Sequence, residues 1–228
     1  MPSRRIENAR KIQESLKKSL RLAPLDVGSI KSICGVDVSY LKDRNNVFAT
    51  AVVLTFPGLL PVMEVFEIHE TDFPYIPGYL AFREVPAILK ALHRLSVPID
   101  LILVDGHGTA HPRRFGIASH LGVVAGIPTV GCAKKRLVGE FEAPSPEKGA
   151  RTFLYHRDEK VGAVVRTRGG KKPVFVSPGH LTDIESAVHV TLAATGKFRI
   201  PEPVRQAHGL TVKIRKGFQE GKVNPRKG

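Results

Sequence analysis

Cysteine is nearly absent from this 228-residue chain. Cys34 and Cys132 are too few for a disulfide framework and read as packing thiols in a reducing compartment. The segment MPSRRIENARKIQ leads into no apolar core and no small-residue cleavage site, so no secretory signal is expected and the expected location is cytoplasmic. No apolar run approaches the roughly 18 residues of a membrane helix. Internal repeats, a Walker phosphate loop, an HExxH helix and a Cys/His cluster are all missing, which excludes solenoid arrays, P-loop chemistry and the common zinc sites. Acidic residues are also scarce, 21 Asp and Glu against 35 Lys and Arg, and the resulting charge of +14 points to a polyanion, either nucleic acid or an anionic surface.

What is present is periodic. Ile6, Ala9, Ile12, Leu16 and Leu20 recur at helical steps, predicting an amphipathic helix that ends before Pro24. Residues 33–41, 47–56 and 60–70 are β-branched, alternating runs with short breaks, predicting three antiparallel strands. Leu80, Val85, Ile88, Leu89, Leu92 and Leu95 predict a helix over 78–95, with Pro86 in its first turn or at a kink. IDLILVD (99–105) and IPTVGCA (127–133) read as strands buried on both faces, joined through the short helix of FGIASHLGVVAG. Strands are expected near 151–155 and 161–166, a strand-to-loop transition at 174–180, and a helix over 181–195 with capping-box spacing between Thr182 and Glu185. The expected domain spans 1–210. The Lys/Arg/Gly-rich segment 211–228 reads as a mobile tail. This order resembles the ribonuclease-H-like fold, an α/β architecture with a mixed sheet in the order 3-2-1-4-5 flanked by helices.

Two aspartates stand where strands prefer apolar residues. Asp37 interrupts GVDVSY, and Asp105 ends the fourth strand, where open α/β sheets collect ligands. If those strands are neighbours, the carboxylates meet, and a hard divalent cation such as Mg²⁺ or Mn²⁺ offsets their repulsion. A salt-bridged Asp37 and a capping Asp105 form the plainer alternative. Two prolines stiffen FPYIPGYLAFRE around Tyr75 and Ile76, which makes the loop a wedge between bases or a staple at a helix entry. Glu84 is either a helix-dipole residue or a third acidic ligand. Lys134, Lys135 and Arg136 form either a solvated basic turn or a phosphate contact, and His180 precedes a helix N-terminus that favours anions. GHGTAH lacks the third glycine of a dinucleotide loop, while Arg113 and Arg114 are candidate phosphate contacts.

GVDVSY, PYIPGYLAFRE, VDGHGTAHPRRFG, VGCAKKRLVG and VSPGHLTDIESA follow one another in the order found in the endonuclease V family, and from about Ile33 to Ala187 the chain resembles that family. The resemblance implies that Asp37 and Asp105 hold Mg²⁺, with Mn²⁺ as a substitute, that Glu84 supports the metal, and that Lys134 and His180 lie near the scissile phosphate. It further implies that Tyr75, Ile76 and Pro77 form a strand-separating wedge and that His111 lies beside the catalytic centre. By the same resemblance, the flipped base is expected to enter a pocket to which Gly78, Leu80, Gly106 and Gly108 contribute. The expected activity is hydrolysis of the second phosphodiester bond 3′ to hypoxanthine in deoxyinosine-containing DNA, by a monomer. His107 stands where many members have Gln, and Tyr79 and Lys135 also depart from commoner choices. Glu185, with Asp183 close by, is carried over only as a supporting ligand. One rival keeps the fold and cuts inosine in RNA, told apart from DNA by 2′-hydroxyl contacts. Another is a nucleic-acid-binding protein without catalysis.

Overall fold

The alternating and continuous apolar runs fold into strands of one sheet, and the helical periods into helices on its two faces. A computed structural model describes residues 2–41 and 45–223. In chain order its elements are α1 (Pro2–Lys17), β1 (Ser32–Tyr40), β2 (Asn46–Thr55), β3 (Pro61–Glu70), α2 (Ala81–Leu92), β4 (Leu101–Val104), α3 (Ile117–Ala125), β5 (Thr129–Ala133), β6 (Arg151–His156), β7 (Glu159–Val165), β8 (Val174–His180), α4 (Ile184–Ala193) and α5 (Glu202–Gln219).

The sheet order is β3-β2-β1-β4-β5-β8-β7-β6. Its first five strands follow the expected ribonuclease-H-like order, and the later hairpin extends the sheet on the β5 side. β1 pairs antiparallel with β2 and parallel with β4, and β4 pairs parallel with β5, so β1, β4 and β5 end at one edge. β8 runs antiparallel to β5. Ile33, Leu101, Leu103 and Val130 pack with α4 and α5 on one face, while Cys34, Val36, Ile102 and Val104 pack with α2 and α3 on the other. Both cysteine thiols are buried, and burial pushes their pKa up to about 12, so they serve as packing groups.

The C-terminal segment departs from the expected tail. Val204, Ala207, Leu210, Thr211 and Ile214 are buried along one side of α5, which lies across β1 and β2. The lysines and arginines that suggest mobility in the sequence occupy the opposite side, so a helix with one apolar stripe absorbs residues 211–219 into the fold. The remainder of the expected tail, 224–228, lies outside the described residues. α5 approaches β1 so closely that a Cβ on Gly35 would stand 2.1 Å from the carbonyl of Pro203. A glycine in the centre of a strand is therefore explained by helix packing. At α4, Asp183, not Thr182, is the N-cap, and its carboxylate accepts from the Ser186 amide at 2.7 Å. Pro86 falls inside α2 beyond its first turn.

Candidate active site

β1 and β4 are in register at Val36 and Val104, so Asp37 and Asp105 follow as neighbours where β4 ends. Adjacent strands lie roughly 4.8 Å apart, which brings the carboxylates within mutual reach. Glu84 joins them from α2, held by the Tyr40 hydroxyl, which donates to its Oε1. Three elements thus deliver three acids to one edge of the sheet.

Their electrostatics register the crowding. Burial raises the pKa of Asp37, with Asp105 adding repulsion, against hydrogen bonds from Thr211 and attraction to His208. Burial pushes the Glu84 carboxyl up to about 8, the Tyr40 hydrogen bond opposes this, and the charges of Asp37 and Asp105 reinforce it. Lys134, from the turn after β5, places its Nζ 2.5 Å from Asp105 Oδ2. The arrangement gathers three carboxyls at a partly buried edge, where Lys134 pairs with Asp105 and His208 and Arg83 oppose the charge of Asp37 and Glu84.

Among the described residues, no group of three or more His, Cys, Asp and Glu side chains is gathered tightly enough to cage a metal ion. The donor set is still the kind that a hard cation selects, because Mg²⁺ keeps several waters and uses one or two carboxylates together with substrate phosphates. Asp37 and Asp105 fit that demand. A divalent cation between them would also remove the repulsion that raises the Asp37 and Glu84 pKa values.

His180 does not belong to this group. β8 returns antiparallel to β5 and pairs His180 with Thr129, at the opposite end of β5 from Lys134, and its Nδ1 accepts from the Arg21 amide at 3.2 Å. His208 of α5 occupies the place expected for His180, with Nδ1 3.1 Å from Asp37 Oδ2. About one helical turn further along α5, Thr211 Oγ1 donates to the same oxygen at 2.5 Å. The signal for both was the apolar helical spacing from Val204 to Ile214, which continues past the expected domain boundary. Glu185 also lies away from the acids, paired with Arg151 at 2.8 Å, so neither it nor the capping Asp183 is a supporting ligand.

Beside the carboxylates lies a cavity of about 230 Å³ lined by Tyr75, Pro77, Gly78, Leu80, Asp105, Gly106, His107, His111 and Phe115 among others. Its dimensions and mixed lining suit a planar, partly polar ring. Tyr75 is 69% exposed at the tip of the Pro-bracketed loop. Ile76 and Gly108 do not line the cavity. Gly108 is buried against β8, where a Cβ would meet the Pro178 carbonyl at 1.9 Å, so packing explains that glycine. His111 is buried in the cavity wall, and its pKa falls to about 4, first through burial and then through Arg113. It is therefore a neutral ring at physiological pH. His107 sets its Nε2 3.0 Å from the Lys135 carbonyl, and burial lowers its pKa too.

The Arg-Arg pair is committed inside the protein and does not supply free phosphate contacts. Arg113 Nη2 donates to the Gly78 carbonyl at 2.5 Å, and its guanidinium lies 4.1 Å from the Tyr79 ring centroid. Arg114 pairs with Glu159 at 2.7 Å and donates to the His111 and His156 carbonyls.

Comparison with known proteins gives a consistent result. A family model described as Endonuclease V matches residues 14–209. The chain is 46% identical over 218 residues to an endonuclease V of Geotalea uraniireducens, covering 96% of this chain and 92% of that protein. Its fold is similar to the crystal structure of endonuclease V from Streptomyces avermitilis, with a TM-score of 0.87, 43% identity, and coverage of 95% of this chain and 94% of that one. It is similar as well to endonuclease V of Ciona intestinalis in complex with a 24mer DNA containing an inosine followed by a ribo-adenosine, with a TM-score of 0.84 and 28% identity over 94% of this chain and 99% of that one.

Proposed function

The chain belongs to the endonuclease V family, and on that premise we propose that it is a Mg²⁺-dependent endonuclease that hydrolyses the second phosphodiester bond 3′ to hypoxanthine in DNA, leaving a 3′-hydroxyl and a 5′-phosphate. The observation that carries this reading is the meeting of Asp37, Glu84 and Asp105 at one sheet edge, directly beside a cavity that Asp105 itself helps to line. Chemistry on a backbone bond and recognition of an extruded base are then neighbouring operations of one site.

Asp37 and Asp105 would hold the Mg²⁺, which when bound polarises a phosphoryl oxygen, lowers the pKa of water and stabilises a leaving oxygen. The protein's own groups prepare the rest. Thr211 and His208 fix the orientation of the Asp37 carboxylate. Lys134 sets its Nζ next to Asp105, a cation placed to meet the charge of an incoming phosphate. Tyr75, with Pro77 beside it, presents an aromatic wedge that fills the gap left by a departing base. Gly78, Leu80, Gly106 and the neutral His111 wall the cavity that receives the base, and burial there excludes water.

A second reading, cleavage of inosine in RNA, is favoured by one observation, the ribo-adenosine that follows the inosine in the nucleic acid bound to the Ciona relative. Oligonucleotides of one sequence with a single inosine, free of thymine and uracil and built once on deoxyribose and once on ribose, decide between them, since they then differ only in their 2′-hydroxyls. For the DNA reading, the DNA is nicked faster in Mg²⁺. Asp105→Ala should abolish nicking while leaving binding largely intact; nicking by that variant at the wild-type rate would sink the mechanism.

A further inference from the structure

The N-terminal helix contributes one buried polar side chain to the base cavity. Gln13 is 2% exposed, on a helix otherwise studded with exposed charge, and it lines the cavity with Gly78 and Phe115. Its amide is fully engaged. Nε2 donates to the Phe115 carbonyl at 3.0 Å and lies 3.4 Å from the Gly78 carbonyl, while Oε1 accepts from Arg113 Nε at 2.5 Å. Arg113 in turn donates to Gly78 and stacks on Tyr79. A single side chain thereby joins the wedge loop to the segment that follows β4.

These contacts exceed what holding α1 in place requires. Helices are commonly anchored by an apolar stripe, and α1 already has buried Ala9 and packs on α3. Gln13 instead ties together the two walls of the cavity, one at Gly78 and the other at Phe115, which belong to different segments with no strand pairing between them. The gap between those walls sets which ring fits. We propose that Gln13 is a positioning residue for base selection: through Arg113, Gly78 and Phe115 it fixes the width of the cavity, and so decides whether hypoxanthine is accepted over guanine, which is larger by one amino group. The inference rests on the reading of the cavity as the base site and deepens it. It also explains why Arg113 is turned inward.

The chain has no tryptophan, so Tyr75→Trp places a sole, selectively excited tryptophan on the wedge loop. In that background, Gln13→Leu removes the tie, whereas Gln13→Glu keeps an acceptor for Arg113 but loses the donor to Phe115. Without nucleic acid, Trp anisotropy should fall for Gln13→Leu and lie between wild type and that value for Gln13→Glu. In the otherwise native protein, the ratio of cleavage rates on inosine- and guanosine-containing oligonucleotides should fall roughly tenfold or more for Gln13→Leu, as expected when a fitted pocket loses its dimensions. A drop in thermal midpoint with unchanged anisotropy and unchanged ratio would overturn the proposal and leave Gln13 as a helix anchor. If Gln13→Leu does not fold, Gln13→Glu decides by the same two measurements. Failure of the unmodified protein to cut inosine would defeat the proposed function instead, and the anisotropy would still test the tie.

Discussion

Asp37 occupies a strand position that Val or Ile would fill without desolvating a charge, and its cost is met by neighbours from a distant helix. Thr211 is the residue that aims it. Thr211→Val keeps the shape and removes the donor, so if Asp37 holds Mg²⁺ as proposed, Mg²⁺ affinity measured by calorimetry should weaken roughly tenfold, as with other groups that orient metal ligands. An unchanged affinity would mean that His208 alone orients the carboxylate. His120 makes the opposite kind of statement. It is buried, its ring meets Phe82 edge-on at 5.0 Å, and its Nδ1 has no hydrogen-bond partner. Burial lowers its pKa from 6.5 to about 4. The unfolded chain therefore takes up a proton near pH 6.5 while the folded chain refuses it until about 4, and this histidine removes stability as pH falls through that window. Its share is about 3 kcal/mol from the size of the shift. Urea unfolding of His120→Phe at pH 4 and pH 7 should show a smaller loss on acidification than wild type; an equal loss would assign the acid sensitivity elsewhere.

Among the elements, α5 does the most that its composition conceals. Its basic residues mark it as solvated, yet Ile214 is buried and Phe218 packs edge-on against Phe48 at 5.2 Å. Ile214→Ala should cost about 2–3 kcal/mol of stability in urea unfolding, the usual penalty for truncating a buried aliphatic side chain. No measurable loss would return the segment to the status of a tail. The loop between β3 and α2 is the converse case, since the prolines that stiffen it are plain in the sequence and Tyr75 stands exposed between them.

At the scale of the whole molecule, the charge of +14 coexists with a local surplus of carboxylates, so long-range attraction and short-range chemistry have opposite signs. On the proposed function, nucleic acid would be drawn to the basic surface, and a divalent cation would make the acidic edge compatible with phosphate. No helix among the described residues is long and apolar enough to cross a membrane. The affinity of the non-cutting Asp105→Ala variant for inosine DNA should fall roughly tenfold or more between about 50 and 200 mM salt, because phosphate contacts release counterions. A flat response would show that base contacts, not the basic surface, dominate binding.

Sequence by itself determined the strands and the helices α1 to α4, because burial on one face imposes periods of two and 3.6 residues that survive in the chain. It also placed Asp37 and Asp105 at strand positions that meet if β1 and β4 are neighbours, and the parallel pairing of β1 with β4 makes them so. Tertiary structure alone decided which histidine serves that edge. The sequence singled out His180 before a helix, but β8 runs back from the acids and carries His180 away, while α5, unforeseen in the sequence, crosses β1 at Gly35 and delivers His208 and Thr211 to Asp37. The inward turn of Arg113 and the reach of Gln13 were likewise beyond the sequence. Periodicity records which face of an element is covered. The end of the sheet that a side chain reaches depends on strand direction and helix docking, and those are set by contacts between residues far apart in the chain.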